Sequence, residues 1–155
     1  MKVEIFDQPY DPWQLAREYQ DSVLEAGKFG ATALFVGTMR DFNEGDSVTA
    51  MTLEHYPGMT QKHLEKIAED AIHKFDILDV LLMHRVGQIF PNDPIVCVVV
   101  WSEHRAASYD ANRFIMEALK AKAPFWKKEL LKGGEGELSS GHSPNHRWVE
   151  KNTPG

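Results

Sequence analysis

The run Lys120, Ala121, Lys122, Ala123, Pro124, Phe125, Trp126, Lys127, Lys128, Glu129 sets four ammonium groups around a rigid aromatic turn. Such a density of like charge is costly unless something anionic binds there. Packed cations also lower one another's pKa, so a lysine in this cluster can be partly neutral near pH 7 and serve as nucleophile or proton carrier. The plainer alternative is a solvated helix end, where lysines complement the helix dipole.

Further cations lie elsewhere in the chain. Arg40 follows an apolar run ending in Gly37, Thr38 and Met39, and a strand-end arginine can hold a phosphate with its two-pronged fork; its alternative is an ion pair with Asp41 or Glu44. His104 and Arg105 sit between an apolar strand and a helix, a position from which functional side chains often emerge, though either also suits a cap or a surface ion pair. No HExxH, paired CxxC, GxSxG or glycine-rich phosphate loop is present. His142 and His146 are four apart, but Gly141 and Pro144 deny them a helix, so the pair reads as loop and no metal site is expected. Cys97, the single cysteine, lies in the apolar run Ile95 to Trp101 and reads as buried filler in a reducing compartment.

A net charge of −6 argues against non-specific binding to nucleic acid or an anionic membrane, so any anionic ligand must meet a local basic cluster. With 43% hydrophobic and 26% charged residues over 155 positions, the chain is expected to form one domain, 1–155, around one core. The N-terminus shows no signal-peptide apolar region and no stretch approaches a membrane span, which predicts a cytoplasmic protein.

The elements that must position these cations follow from periodicity and turn signals. Val3 and Ile5 begin a short strand; Asp11, Pro12 and Gln14 supply an N-cap, an N1 proline and a capping-box partner for a helix from Pro12 to about Ala26, stopped by Gly27. Strands are expected over Ala31 to Met39 and Val48 to Tyr56, joined by a mobile loop at 41–46. Leu64, Ile67, Ala68, Ala71, Ile72 and Phe75 mark a second helix with Thr60 as its N-cap. Strands Leu78 to Arg85 and Ile95 to Ser102 follow, the latter apolar on both faces and central. A third helix buries Ala107, Ala111, Phe114, Ile115, Ala118 and Leu119 and ends before Pro124, leaving Lys120 and Lys122 on its last turn. Residues 132–146, rich in Gly, Ser, Glu and His, read as a mobile loop whose far end is anchored by Arg147, Trp148 and Val149. The order does not alternate as a parallel βαβ array would, so the fold class is α+β, with a mainly antiparallel sheet and three helices.

Five blocks in order carry a family resemblance: Phe35 to Arg40; Leu53 to Met59; His84 to Gly87; Ser102 to Arg105; and Ala123 to Glu129. Together they resemble the catalytic, large subunits of molybdopterin synthase, from about residue 30 to Glu129. The resemblance implies an α/β-hammerhead-like fold and a sulfurtransferase acting on cyclic pyranopterin monophosphate to give the dithiolene of molybdopterin, without metal or other cofactor. It further implies a small ubiquitin-like partner whose C-terminal Gly-Gly carries the sulfur as a thiocarboxylate, and a heterotetramer built on a homodimer of large subunits. By position, Lys120 and Lys127 match the family's catalytic lysines, and Thr38, Met39, Arg40, His104, Arg105, Lys128 and Glu129 match its substrate-binding positions. One departure is the passage from Leu130 to His146, longer than the family's usual link to the closing Trp-Val, here Trp148 and Val149.

Two other readings remain at this stage. The chain could be a non-catalytic module that anchors a Gly-Gly tail through its lysines. It could instead, as a third reading, form a Schiff base through Lys120, which sits among other cations, with a phosphorylated carbonyl compound. A nucleic-acid role ranks last, since only one small basic patch exists.

Overall fold

The structure, a computed structural model, describes residues 1–132 and 146–149. Its elements run β1 (Lys2–Phe6), α1 (Pro12–Val23), β2 (Ala31–Thr38), β3 (Phe42–Asn43), β4 (Asp46–His55), α2 (Pro57–Lys74), β5 (Asp79–Arg85), β6 (Gly87–Ile89), β7 (Pro94–Ser102), α3 (Arg105–Lys122), β8 (Phe125–Leu131) and β9 (His146–Val149). The expected α+β class with three helices and mostly antiparallel pairing is what these elements form.

The first sheet has the order β1-β5-β7-β2, with only the β1–β5 pair parallel. As its apolar run predicts, β7 is central. Its two faces feed two cores: Val96, Val98 and Val100 pack with Leu64, Ala68, Ala111 and Ile115 of α2 and α3, while Cys97, Val99 and Trp101 pack with Ala16 of α1. Period-two alternation in one strand thus serves helices on both sides. The second sheet has the order β3-β4-β8-β9, with β6 pairing β4, and encloses Met39, Val48, Met51, Leu53 and Ile89.

Several local expectations need correction. α1 ends at Val23, before Gly27, because the Ser22 hydroxyl donates to the Glu18 carbonyl at 2.7 Å and Leu24 turns extended to join the Trp101 cluster. Asp11 does cap α1, accepting from the Trp13 and Gln14 amides at 3.1 and 3.2 Å, but Gln14 donates to Glu18 rather than closing a capping box. α2 begins at Pro57, whose fixed φ suits the first helical position; Thr60 lies buried inside the helix and donates to the Pro124 carbonyl at 3.3 Å.

The segment 41–46 is a tight hairpin, with Phe42 opposite Ser47 and Asn43 opposite Asp46, because Glu44 and Gly45 both adopt positive φ (53° and 82°). It does not join partners, since β2 and β4 lie in different sheets. The aromatic segment after Pro124 is the strand β8, not a turn. The expected loop at 132–146 lies, apart from its two end residues, outside the described residues, as does His142; the anchor at its far end is β9, paired to β8 with Lys127 opposite Val149.

Candidate functional site

Three elements converge on one cavity of about 420 Å³. The first is the end of β2, where the register with β7 shifts between Gly37 and Thr38, a bulge that re-aims Thr38, Met39 and Arg40. Met39 is held there by two backbone bonds to the 90–93 turn: its amide donates to Asp93 at 3.0 Å, and the Asn92 amide donates to its carbonyl at 2.9 Å. The second element is the last turn of α3, where Met116 and Lys120, four residues apart, share one helix face. The third is β8, whose alternation turns Lys127 and Glu129 into the cavity.

Of the residues expected at a site, the cavity therefore gathers Thr38, Met39, Arg40, Lys120, Lys127 and Glu129. Lys128, one step along β8, points the other way, with its ammonium 5.4 Å from the Trp148 ring centroid. His104 and Arg105 begin α3, roughly 23 Å from Lys120 along the helix axis by the rise per residue. They do not line this cavity within one copy of the chain.

Burial holds the pKa of Lys127 below the ordinary lysine value. Glu129 opposes that shift, and the positive charges of Lys120, Arg40 and Arg147 reinforce it. Among the described residues Lys127 has no ion pair with Glu129. That carboxylate, almost fully buried, accepts from the Asn43 amide nitrogen at 3.0 Å and from Arg147 at 3.3 Å. Arg40 lies with its guanidinium carbon 5.0 Å from the Phe42 ring centroid, a cation–π contact that leaves its nitrogens to address an anion. An amine whose neutral form is favoured by burial, set beside fixed cations, can move a proton next to a bound anion, and no other described region combines these features.

Asn43, Met116 and Arg147 were not legible as site residues. Asn43 depends on the hairpin, Met116 only on its helical spacing from Lys120, and Arg147 on the pairing of β9 with β8. Among the described residues no three His, Cys, Asp or Glu side chains gather as metal ligands.

The family model described as MoaE protein matches residues 7–122, most of the chain. The chain belongs to the MoaE family. It is 51% identical over 115 residues to the molybdopterin synthase catalytic subunit of Ralstonia nicotianae, covering 73% of this chain and 65% of that one. To the Escherichia coli protein of the same name it is 42% identical over 139 residues, covering 90% and 85%. The solved molybdopterin synthase structure from Staphylococcus aureus superposes with a TM-score of 0.79 at 26% identity, over 97% of this chain and 98% of that one. MoaE membership makes this chain a catalytic subunit of the molybdopterin synthase type, a sulfur-transferring enzyme of molybdenum-cofactor biosynthesis.

Proposed function

We propose that the cavity is where the C-terminal thiocarboxylate of a small ubiquitin-like carrier meets cyclic pyranopterin monophosphate. The observation that carries this reading is the convergence of Arg40, Lys120 and Lys127 from three elements of an acidic chain onto one pocket. Both reactants are anionic, and a pocket of this size suits a fused ring with a phosphate.

Lys120 positions the thiocarboxylate and relays protons while its sulfur bonds to a pterin side-chain carbon and the oxygen substituent on that carbon departs with a relayed proton; in a variant, the lysine amine takes the acyl group from the sulfur and water hydrolyses the resulting amide. Water then cleaves the acyl–sulfur bond, and the carrier leaves as a carboxylate. A second carrier supplies the second sulfur. Lys127 offsets charge on the substrate phosphate and assists opening of the cyclic ester, with Arg40 gripping the same group. Thr38, Met39 and Glu129 shape the wall, and Lys128 supports it from the opposite face of β8.

A second copy of the chain supplies what one copy lacks. A groove lined by Thr32, Leu34, Tyr109, Arg113 and Glu117 runs along β2 and α3 and joins the pocket at Phe35, Met116 and Lys120. An α3 laid antiparallel in that groove brings its own His104 and Arg105 to the pocket. The carriers then occupy the two outer ends of a heterotetramer. We place the reaction in the cytoplasm; among the described residues no helix is long and apolar enough to cross a membrane.

The test mixes this chain with thiocarboxylated carrier and pterin substrate and assays the dithiolene product. Lys120→Ala is expected to bind carrier yet lose turnover. Wild-type sulfuration by that variant would remove the role of Lys120, and borohydride trapping of a carbonyl substrate on it would favour the Schiff-base reading.

A further inference from the structure

Arg147 reaches the pocket wall from β9 and meets three carboxylates there. Its Nη1 lies 2.8 Å from Asp46 and 3.7 Å from Glu44, Nη2 donates to the Asn43 carbonyl at 3.1 Å, and Nε and Nη2 approach the same Glu129 oxygen at 3.3 Å. Three of these partners belong to the β3–β4 hairpin, and the fourth lies in the cavity. Side-chain exposure falls from 54% at Asp46, through 23% at Arg147, to 4% at Glu129, so the guanidinium links solvent-facing acids to an enclosed one.

We propose that Arg147 is a positioning residue for the sulfur-transfer site: it pins the Glu129 carboxylate to the hairpin, so that this acid shapes the pocket without pairing with Lys127. The inference rests on the reading of Lys127 given above, and it stands first on geometry. A buried carboxylate needs a partner. While Arg147 and Asn43 hold Glu129, Lys127 faces that acid together with three cations, Lys120 from α3, Arg40 from the end of β2 and Arg147 from β9.

Removing the guanidinium changes two things in the same direction. One cation near Lys127 disappears, and the Glu129 carboxylate, left with Asn43 alone, is freer to turn toward the Lys127 charge it already faces. Both favour the ammonium form, so the amine appears only at higher pH. A purely structural role for Arg147 would lower stability without moving that titration.

The experiment measures the rate of reductive methylation of Lys127 against pH, by peptide mass spectrometry on the full chain, for wild type, Arg147→Met and Arg147→Lys. The midpoint is expected to rise by about one pH unit in Arg147→Met, to rise less in Arg147→Lys, and to fall back when Glu129→Gln is added to Arg147→Met. Arg147→Lys retains a charge against the hairpin and gives the reading if the methionine variant does not fold. An unmoved midpoint in the folded variants, even with a lower melting temperature, overturns the proposal. The pH limb of kcat, measured on the same proteins, separates the two claims: a shifted midpoint with an unshifted limb upholds the positioning by Arg147 and removes Lys127 from the proton relay.

Discussion

Lys127 and His84 are both pushed toward their neutral forms by burial, with different consequences. For Lys127 the effect concerns turnover. Arginine retains the positive charge but does not release its proton, so Lys127→Arg should keep substrate affinity within a few-fold while kcat falls by roughly 100-fold or more; steady-state kinetics read the split. For His84 the effect concerns stability. Its ring is buried, stacks on Phe125 at 4.0 Å between centroids and bonds the Arg85 carbonyl at 2.8 Å; burial lowers its pKa to about 4, with the Arg85 bond opposing and His55 assisting. Because the folded value lies below the unfolded one, the contribution of neutral His84 is fully present above about pH 6.5 and is lost as pH falls toward 4. The loss amounts to roughly 3 kcal/mol. Urea unfolding across that window should show a steep decline for wild type and a flatter one for His84→Phe. The site lysines and Arg40 stood out in the sequence because cations clustered in an acidic chain require an explanation. Asn43 and Arg147 did not, because an amide or a guanidinium gains its role from the strand opposite it.

At the scale of elements, the strands and helices with strong periodicity were legible and their ends were not. The apolar runs of β5 and β7 and the stripe of α2 depend on burial alone. Ends depend on single contacts, such as the Ser22 hydroxyl that closes α1 or the Pro57 ring that opens α2 ahead of Thr60. β3 and β6 were missed because pieces of two or three residues carry no period, and β8 was read as a turn because two lysines and two aromatics obscured its alternation. The start of β2 offers a test of close packing. A Cβ on Gly30 would meet the backbone carbonyl of Glu103, and its amide already donates to Ser102 at 3.0 Å. Gly30→Ala should therefore cost roughly 1–3 kcal/mol, read as a lower denaturation midpoint, since neither backbone can retreat without breaking β2–β7 pairing.

At the scale of the whole molecule, the distance between the start and end of α3 makes the proposal that a second copy completes the pocket testable. Lys120→Ala and Arg105→Ala should each be nearly inactive alone. Mixed and allowed to exchange subunits, they should recover about one quarter of wild-type sites, because half the dimers are mixed and each mixed dimer holds one intact pocket. No recovery would mean that Arg105 serves its own chain. The family and fold class were legible because five blocks fall in the right order; the meeting of the pocket walls was not, since it depends on a bulge after Gly37 and on β8 pairing with β4 rather than β2. Cys97 brings a different consequence. It is the chain's single cysteine, has no exposed surface, and its thiol is pushed up to about 12 by burial between the first sheet and α1. A catalyst that handles labile sulfur at one wall thus keeps its own sulfhydryl sealed and protonated, so neither a persulfide nor a mixed disulfide on this polypeptide diverts the atom being delivered.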